Sequence, residues 1–365
     1  MTGKVERFFR VNQLPPYHLG DIATAVVAAR NDGRDIIDLS QFNPTESPPG
    51  GGVEKLVQAA LQPHNHRYSA SQGIARLRRA AVEWYDKGYH VELDADKEVV
   101  VTMGAKEAIS HLMFALTSPG DTVLIPTPSY PIHTAAITLA GAGAIGVPLG
   151  IGGAVSPVMD ENSCFFENLE KAYARAWPRP IAIVVSFPHN PTTCVASIGF
   201  MTRLVEEAKA RSMFIIHDFA HADISEPGCR TPSVLEVTGA KEVAVELRSL
   251  SKSISVPGWR VGFCVGNSGL VSALKKIKGY LDSGIFQPIQ VAAVTLLDNY
   301  GKILPEYISG YNARRATLVK GLSESGFEVA SGGGTVFVWA RLPESVRKMG
   351  SLAFAKRAVG EAGVA

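Results

Sequence analysis

Lys252 lies in the run Ser249-Leu250-Ser251-Lys252-Ser253-Ile254-Ser255-Val256-Pro257-Gly258-Trp259-Arg260-Val261-Gly262, with an arginine eight residues beyond it. A primary amine can condense with an aldehyde, and hydroxyls beside a guanidinium suit a phosphate. Gly258 and Gly262 let the backbone come close to such a ligand. The segment therefore reads as a Schiff-base lysine beside a phosphate clamp. A lone Ser-x-Ser-Lys would be a surface lysine on a serine-rich turn, and it is the Pro-Gly-Trp-Arg-x-Gly continuation that argues otherwise.

Three more polar clusters stand where chemistry is plausible. Met103-Gly104-Ala105-Lys106 opens a helical pattern, and free backbone N–H groups at a helix start bind phosphate. Alone it is weak, because many strand-to-helix turns contain glycine. In Phe187-Pro188-His189-Asn190-Pro191-Thr192-Thr193 the Asn190 amide offers a donor to a phenolate oxygen and the prolines hold the loop extended; a plain turn is the alternative. His217-Asp218-Phe219-Ala220-His221-Ala222-Asp223 offers imidazoles and carboxylates to a metal. Yet His217 and Asp218 face opposite ways if the strand continues, so no metal is expected. Asp218 could instead face a pyridinium nitrogen and keep it protonated.

The elements that must position these groups follow an α/β order. Strand-like runs at 98–102, 122–125, 181–186, 213–217, 243–250 and 261–265 alternate with helical patterns at 106–116, 130–139, 165–176 and 200–211. This is the text of a parallel sheet covered by helices, and ligands collect beyond the carboxyl ends of such strands. All four clusters lie just after a candidate strand. After Ser268 the text is mostly helical, with a long helix expected over 305–325, a strand pair near 327–329 and 335–340, and a last helix over 352–361. The uncharged stretch 133–159 is broken by glycines, including Gly152 and Gly153, and reads as a buried helix, a strand and a loop rather than a membrane span.

Composition narrows the class. A chain of 365 residues that is 46% hydrophobic can bury more than one core, so two domains are expected. A formal charge of +2, with lysines and arginines scattered, gives no electrostatic case for nucleic acid. Cys164, Cys194, Cys229 and Cys264 are widely spaced, indicating neither a disulfide framework nor a zinc knuckle, and the N-terminal segment lacks a signal-peptide core. The expected location is the cytoplasm, away from membranes.

The ordered set Gly104-Ala105-Lys106, Asn190, Asp218 and Ser249/Lys252/Arg260, with 28 residues from Asn190 to Asp218 and 34 from Asp218 to Lys252, resembles the class I/II aminotransferases, which are fold-type I pyridoxal 5′-phosphate enzymes. Arg10-Val11-Asn12-Gln13-Leu14-Pro15-Pro16-Tyr17, Tyr68-Ser69-Ala70-Ser71-Gln72-Gly73, Pro128-Ser129-Tyr130-Pro131-Ile132-His133 and Gly258-Trp259-Arg260-Val261-Gly262-Phe263 extend the likeness over nearly the whole chain, toward the bacterial alanine-transaminase and LL-diaminopimelate-aminotransferase-like branch. The resemblance implies a three-layer large domain with a mostly parallel sheet over 44–287, and a small α+β domain from 1–43 with 288–365. It implies a homodimer with shared active sites, and amino transfer between an L-amino acid and a 2-oxo acid. Lys252 would carry the cofactor as an internal aldimine and shuttle the substrate's proton, with Asp218 on the ring nitrogen. Gly104, Ala105, Lys106, Ser249, Ser251, Arg260 and the neighbouring subunit's Tyr68 would hold the phosphate. Tyr130 would stack on the ring, Asn190 and His221 would reach its phenolic oxygen, and Tyr17, Phe42, Asn43 and Asn190 would border the substrate.

Three departures qualify that carry-over. Ser40-Gln41-Phe42-Asn43-Pro44 places a phenyl ring where the family usually has Gly-Asn-Pro, so the shape beside the substrate carboxylate differs. His221 replaces a tyrosine, and an imidazole brings a proton near neutral pH. The family continues into a strand-rich segment whose arginine grips the α-carboxylate, whereas this text stops at Gly363-Val364-Ala365. Either the chain is a piece lacking that end or it holds its substrate otherwise. The alternative function is elimination, replacement, cyclisation or oxidation of an amino acid on the same cofactor; a non-catalytic binding relative is the third reading.

Overall fold

The computed structural model describes residues 8–40, 42–151, 158–226, 229–330 and 333–365. Runs rich in valine and isoleucine form a seven-stranded sheet in the spatial order Val99–Thr102, Gly262–Gly266, Ala244–Ser249, Phe214–Asp218, Ala182–Ser186, Thr122–Thr127 and Gly143–Pro148. The sheet is mostly parallel, as expected; the exception is Gly262–Gly266, which runs antiparallel to both its neighbours. The chain reaches it from Lys252 through the short link 254–261, too short for the crossover a parallel strand requires.

Alternate side chains on the strands feed two cores. Val99, Val101, Ile183, Val185 and Ile215 face one layer, which includes the helices Ala75–Tyr89, Ile198–Ala210 and Gln287–Asp298. Val100, Val123, Val184, Ile216 and Leu247 face the other, covered by Gly104–Leu116, Pro131–Ala140 and Ser268–Leu281. Each such side chain, fully buried, is worth about 1.5–3 kcal/mol. Burial on both faces explains why these strands read as continuous apolar runs. A separate small core joins Ile22, Val26 and Ala29 of the helix His18–Asn31 to Ile36 and to Val359 of Ser351–Ala362.

Two expectations outside the sheet shift. The long helix spans Tyr300–Glu324, beginning ahead of Pro305, because Ile303 N–H already donates to Asn299 C=O at 3.2 Å before the proline interrupts the ladder. The expected strand over 335–340 shrinks to a two-residue ladder, Glu328–Val329 against Ala340–Arg341. Its start is engaged elsewhere: Gly334 N–H donates to Thr193 C=O at 2.9 Å and Thr335 N–H to Ile224 C=O at 2.7 Å, with Thr335 at φ +79°. Those bonds dock the segment onto loops at the sheet's carboxyl edge. In the stretch 133–159, the helix Pro131–Ala140 and the edge strand Gly143–Pro148 appear; Gly152 and Gly153 lie outside the described residues.

Candidate active site

The strands ending at Thr102, Thr127, Ser186, Asp218 and Ser249 point one way, so the segments that follow them gather at one edge. The antiparallel strand adds Arg260 to that edge, because its amino end lies where the others finish. Gly262 is in register with both Thr102 and Ser249, which brings the Gly104 turn, the serines and the arginine together.

The cradle so formed is shaped for an anion. Arg260 takes a left-handed φ of +56° and donates to Ser251 Oγ at 3.4 Å and to Met103 C=O at 3.2 Å. Ser249 Oγ lies 3.0 Å from Ser251 Oγ and accepts from Ser251 N–H. Gly104 has φ +75°, and a Cβ there would stand 2.6 Å from the Arg260 guanidinium; one on Gly262 would meet Gly104 Cα at 2.8 Å. Gly104 is thus required by its left-handed backbone and Gly262 by the close approach of other backbone. Gly104, Ala105 and Lys106 form the first turn of the helix Gly104–Leu116, whose free N–H groups and dipole favour negative charge.

Lys252 stands beside this cradle. Its Nζ lies 3.4 Å from Phe42 C=O and 4.5 Å from the centroid of the Phe42 ring, while its own carbonyl accepts from Tyr311 Oη at 3.0 Å. Burial, then the charges of Arg260 and Lys106, push the Lys252 ammonium down to about 8, close to where a neutral amine becomes available as a nucleophile.

Asp218 ends its strand 9% exposed, with Oδ2 2.9 Å from His133 Nε2 and Oδ1 accepting from Ala220 N–H at 3.3 Å. Burial alone would raise its carboxyl, but the His133 bond, the charges of His133 and His221 and the Ala220 amide together hold it below the usual range. His133 Nδ1 in turn lies 3.0 Å from Ser129 Oγ. The composition-level suggestion of a metal ligand set fails on geometry: His217 turns to the opposite face, onto Glu246 at 2.9 Å and Phe187 C=O at 3.1 Å.

The expectation that His221 brings a proton near neutral pH is corrected here. The ring is 7% exposed, and burial, helped by the Lys252 charge and opposed by Asp218, pushes it down to about 4. Its Nδ1 is buried with no hydrogen-bond partner among the described residues. A neutral imidazole with an unmet ring nitrogen can still hydrogen-bond a ligand oxygen.

The remaining expected residues divide. Tyr130 is half-buried, lies 5.8 Å centroid to centroid from His133 and has Lys106 Nζ 5.6 Å from its ring centroid, while Asn190 stands half-buried beyond the strand ending at Ser186. Phe42 packs edge-on to Tyr311 at 5.4 Å, and Asn43 is exposed. Tyr17 and Tyr68 face solvent, at 55% and 94% exposure, outside the buried cluster. Sequence reasoning assigned no role to His133, Tyr311 or Phe337, whose ring lies 5.4 Å from that of His221. Only His133 carried a local signal, being the one ionisable side chain in the helix Pro131–Ala140.

Fold and site together set a half-buried lysine of lowered basicity, a buried carboxylate and a glycine-lined cradle bearing an arginine on one edge of an open α/β sheet. The glycine-lined cradle and the unmet His221 nitrogen fit a phosphorylated aromatic aldehyde. Residues 34–365 match the aminotransferase class I and II family. The chain is 44% identical over 363 residues to the glutamate-pyruvate aminotransferase AlaC of Escherichia coli, covering 100% of this chain and 86% of that one. It is 38% identical over 358 residues to the LL-diaminopimelate aminotransferase of Nitratidesulfovibrio vulgaris strain Hildenborough, covering 97% and 88%. Among solved structures, N-succinyldiaminopimelate aminotransferase from Mycobacterium tuberculosis superposes with a TM-score of 0.87 at 27% identity over 98% of this chain and 88% of that one.

The chain belongs to the class I and II aminotransferases. It is a pyridoxal 5′-phosphate-dependent enzyme of fold type I, acting on amino-acid and 2-oxo-acid substrates. No described helix is long and apolar enough to cross a membrane.

Proposed function

We propose that Lys252 is the residue that carries the cofactor and moves the substrate's proton. The observation behind this is its half-buried Nζ, depressed to about 8, beside the cradle of Gly104, Ser249, Ser251 and Arg260. Bound pyridoxal 5′-phosphate supplies an aldehyde that takes up an amino group and a ring that withdraws electrons. Ala105 and Lys106 at the helix start, with Ser249, Ser251 and Arg260, bind its phosphate. Asp218, ionised and oriented by His133, holds a proton on the ring nitrogen. Asn190 and the neutral His221 bond the phenolic oxygen, and Tyr130 covers a ring face. Lys252 Nζ takes the proton from the substrate Cα and returns it on the other side of the transfer.

Phe42 and Tyr311 stand against Lys252, and Asn43 and Asn190 would border the substrate there. Alanine with pyruvate, and glutamate with 2-oxoglutarate, are the pairs we place there, supported by the identity with AlaC. Tyr68 is almost fully exposed, as are Tyr280, Leu281 and Phe286 of the segment that meets its chain neighbours His66 and Ala70, and such a residue suits a partner's site, so the active unit is a homodimer. Four free cysteines accord with a reducing cytoplasm. We place the small domain at 1–43 with the C-terminal part, and its boundary nearer Asp298 than 287, since Gln287–Asp298 gives Ala293, Val294 and Leu296 to a large-domain core.

Borohydride reduction of the cofactor-loaded chain followed by peptide mapping tests the assignment. A pyridoxyl group should be found on Lys252. Label on another lysine, or none, would refute it.

A further inference from the structure

A second ionic cluster lies beneath the cradle. Lys278, on the helix Ser268–Leu281, is 0% exposed and its Nζ donates to Glu107 Oε1 at 3.0 Å and to Asp282 Oδ2 at 3.0 Å. His111 Nδ1 lies 2.5 Å from Glu107 Oε1 and 3.6 Å from Asp282 Oδ2. Glu107, His111 and Asp282 have ligand atoms within 4.8 Å of one another, a spacing a metal could use, but the Lys278 ammonium already bonds both carboxylates.

Glu107 belongs to the first turn of the helix whose amino end faces the phosphate. Its Oε2 accepts from Met103 N–H at 2.9 Å, and the Met103 carbonyl accepts from Arg260 at 3.2 Å. A continuous chain of bonds therefore runs from Lys278 through Glu107 and Met103 to the arginine of the cradle. Electrostatically the placement is awkward. A carboxylate in the first turn favours the helix but repels a dianion arriving at the same end, unless a cation neutralises it. The other carboxylate, Asp282, accepts from Gly284 N–H at 3.0 Å, and a Cβ on Gly284 would stand 2.4 Å from Ala70 C=O. The segment it holds thus backs the loop next to Tyr68.

We infer that Lys278 is a positioning residue for cofactor binding: by neutralising Glu107 under the helix start and tying it to Asp282, it keeps the Gly104–Lys106 turn hospitable to a phosphate dianion. The inference rests on the reading that this turn takes the phosphate.

The test measures dissociation constants of the cofactor-free 365-residue chain for pyridoxal 5′-phosphate and for pyridoxal, by absorbance. Lys278→Met should weaken pyridoxal 5′-phosphate about tenfold or more, the size of a helix-terminus charge effect in a partly buried site, and leave pyridoxal nearly unchanged. Lys278→Met with Glu107→Gln should recover most of the loss, a rescue that a merely structural lysine would not show. Should Lys278→Met fail to fold, Glu107→Gln alone carries the test, and should bind pyridoxal 5′-phosphate at least as tightly as the parent. Unchanged binding in Lys278→Met, no recovery in the double variant, or weaker binding in Glu107→Gln would each overturn the role of Lys278. A parent that does not distinguish pyridoxal 5′-phosphate from pyridoxal would instead overturn the cradle itself.

Discussion

Acidification should destabilise the cofactor-free chain through two buried imidazoles. His221 is 7% exposed and pushed down to about 4; His189 is 1% exposed and pushed down to about 3, with burial the leading cause in both and the charges of Lys252 and His133 respectively adding to it. Once unfolded, both rings take up a proton near pH 6.5. Between that value and the folded ones the unfolded state binds more protons, so this stability is fully present above about pH 6.5 and is lost as the pH falls toward 4 and 3. From pH 7 to pH 5 each ring accounts for about 2 kcal/mol, roughly 4 kcal/mol together. Urea unfolding at pH 7, 6 and 5 reads this directly. His221→Gln and His189→Gln should each remove about half of the pH dependence contributed by the pair. A parent whose stability is flat over this range, or a His221→Gln variant that keeps the whole slope, would show that the ring is not held neutral in the fold.

Asp218→Asn should leave the fold intact and lower kcat by two orders of magnitude or more, about 3 kcal/mol, because an amide cannot keep a ring nitrogen protonated. His133→Asn should cost less on its own and nothing further in the Asp218→Asn background, since it acts through the 2.9 Å bond to that carboxylate; additive losses would separate the two residues. Light scattering of the cofactor-loaded protein should give a dimer, and Tyr68→Phe should weaken cofactor retention without changing the mass; a fully active monomer would refute the shared site.

The lysine segment, the Gly104 turn, Asn190 and Asp218 were legible as text because each occupies a fixed offset from a strand end, and a sheet buried on both faces leaves long apolar runs that mark those ends. The alternation of strands and helices was legible for the same reason. Local pattern carries no information on strand direction, so the antiparallel run of Gly262–Gly266, which delivers Arg260 to the cradle, emerged only once the register with Thr102 and Ser249 was formed. Nor could it show which side chains meet. His133 reaches Asp218 across 85 residues, and Lys278 reaches Glu107 across 171. His221 differs again: its residue type is written in the chain, but its proton is decided by desolvation, a property of everything packed around it. Residue order sets which groups are available and where the backbone turns; the tertiary structure sets their partners and dielectric surroundings, and with them their charge.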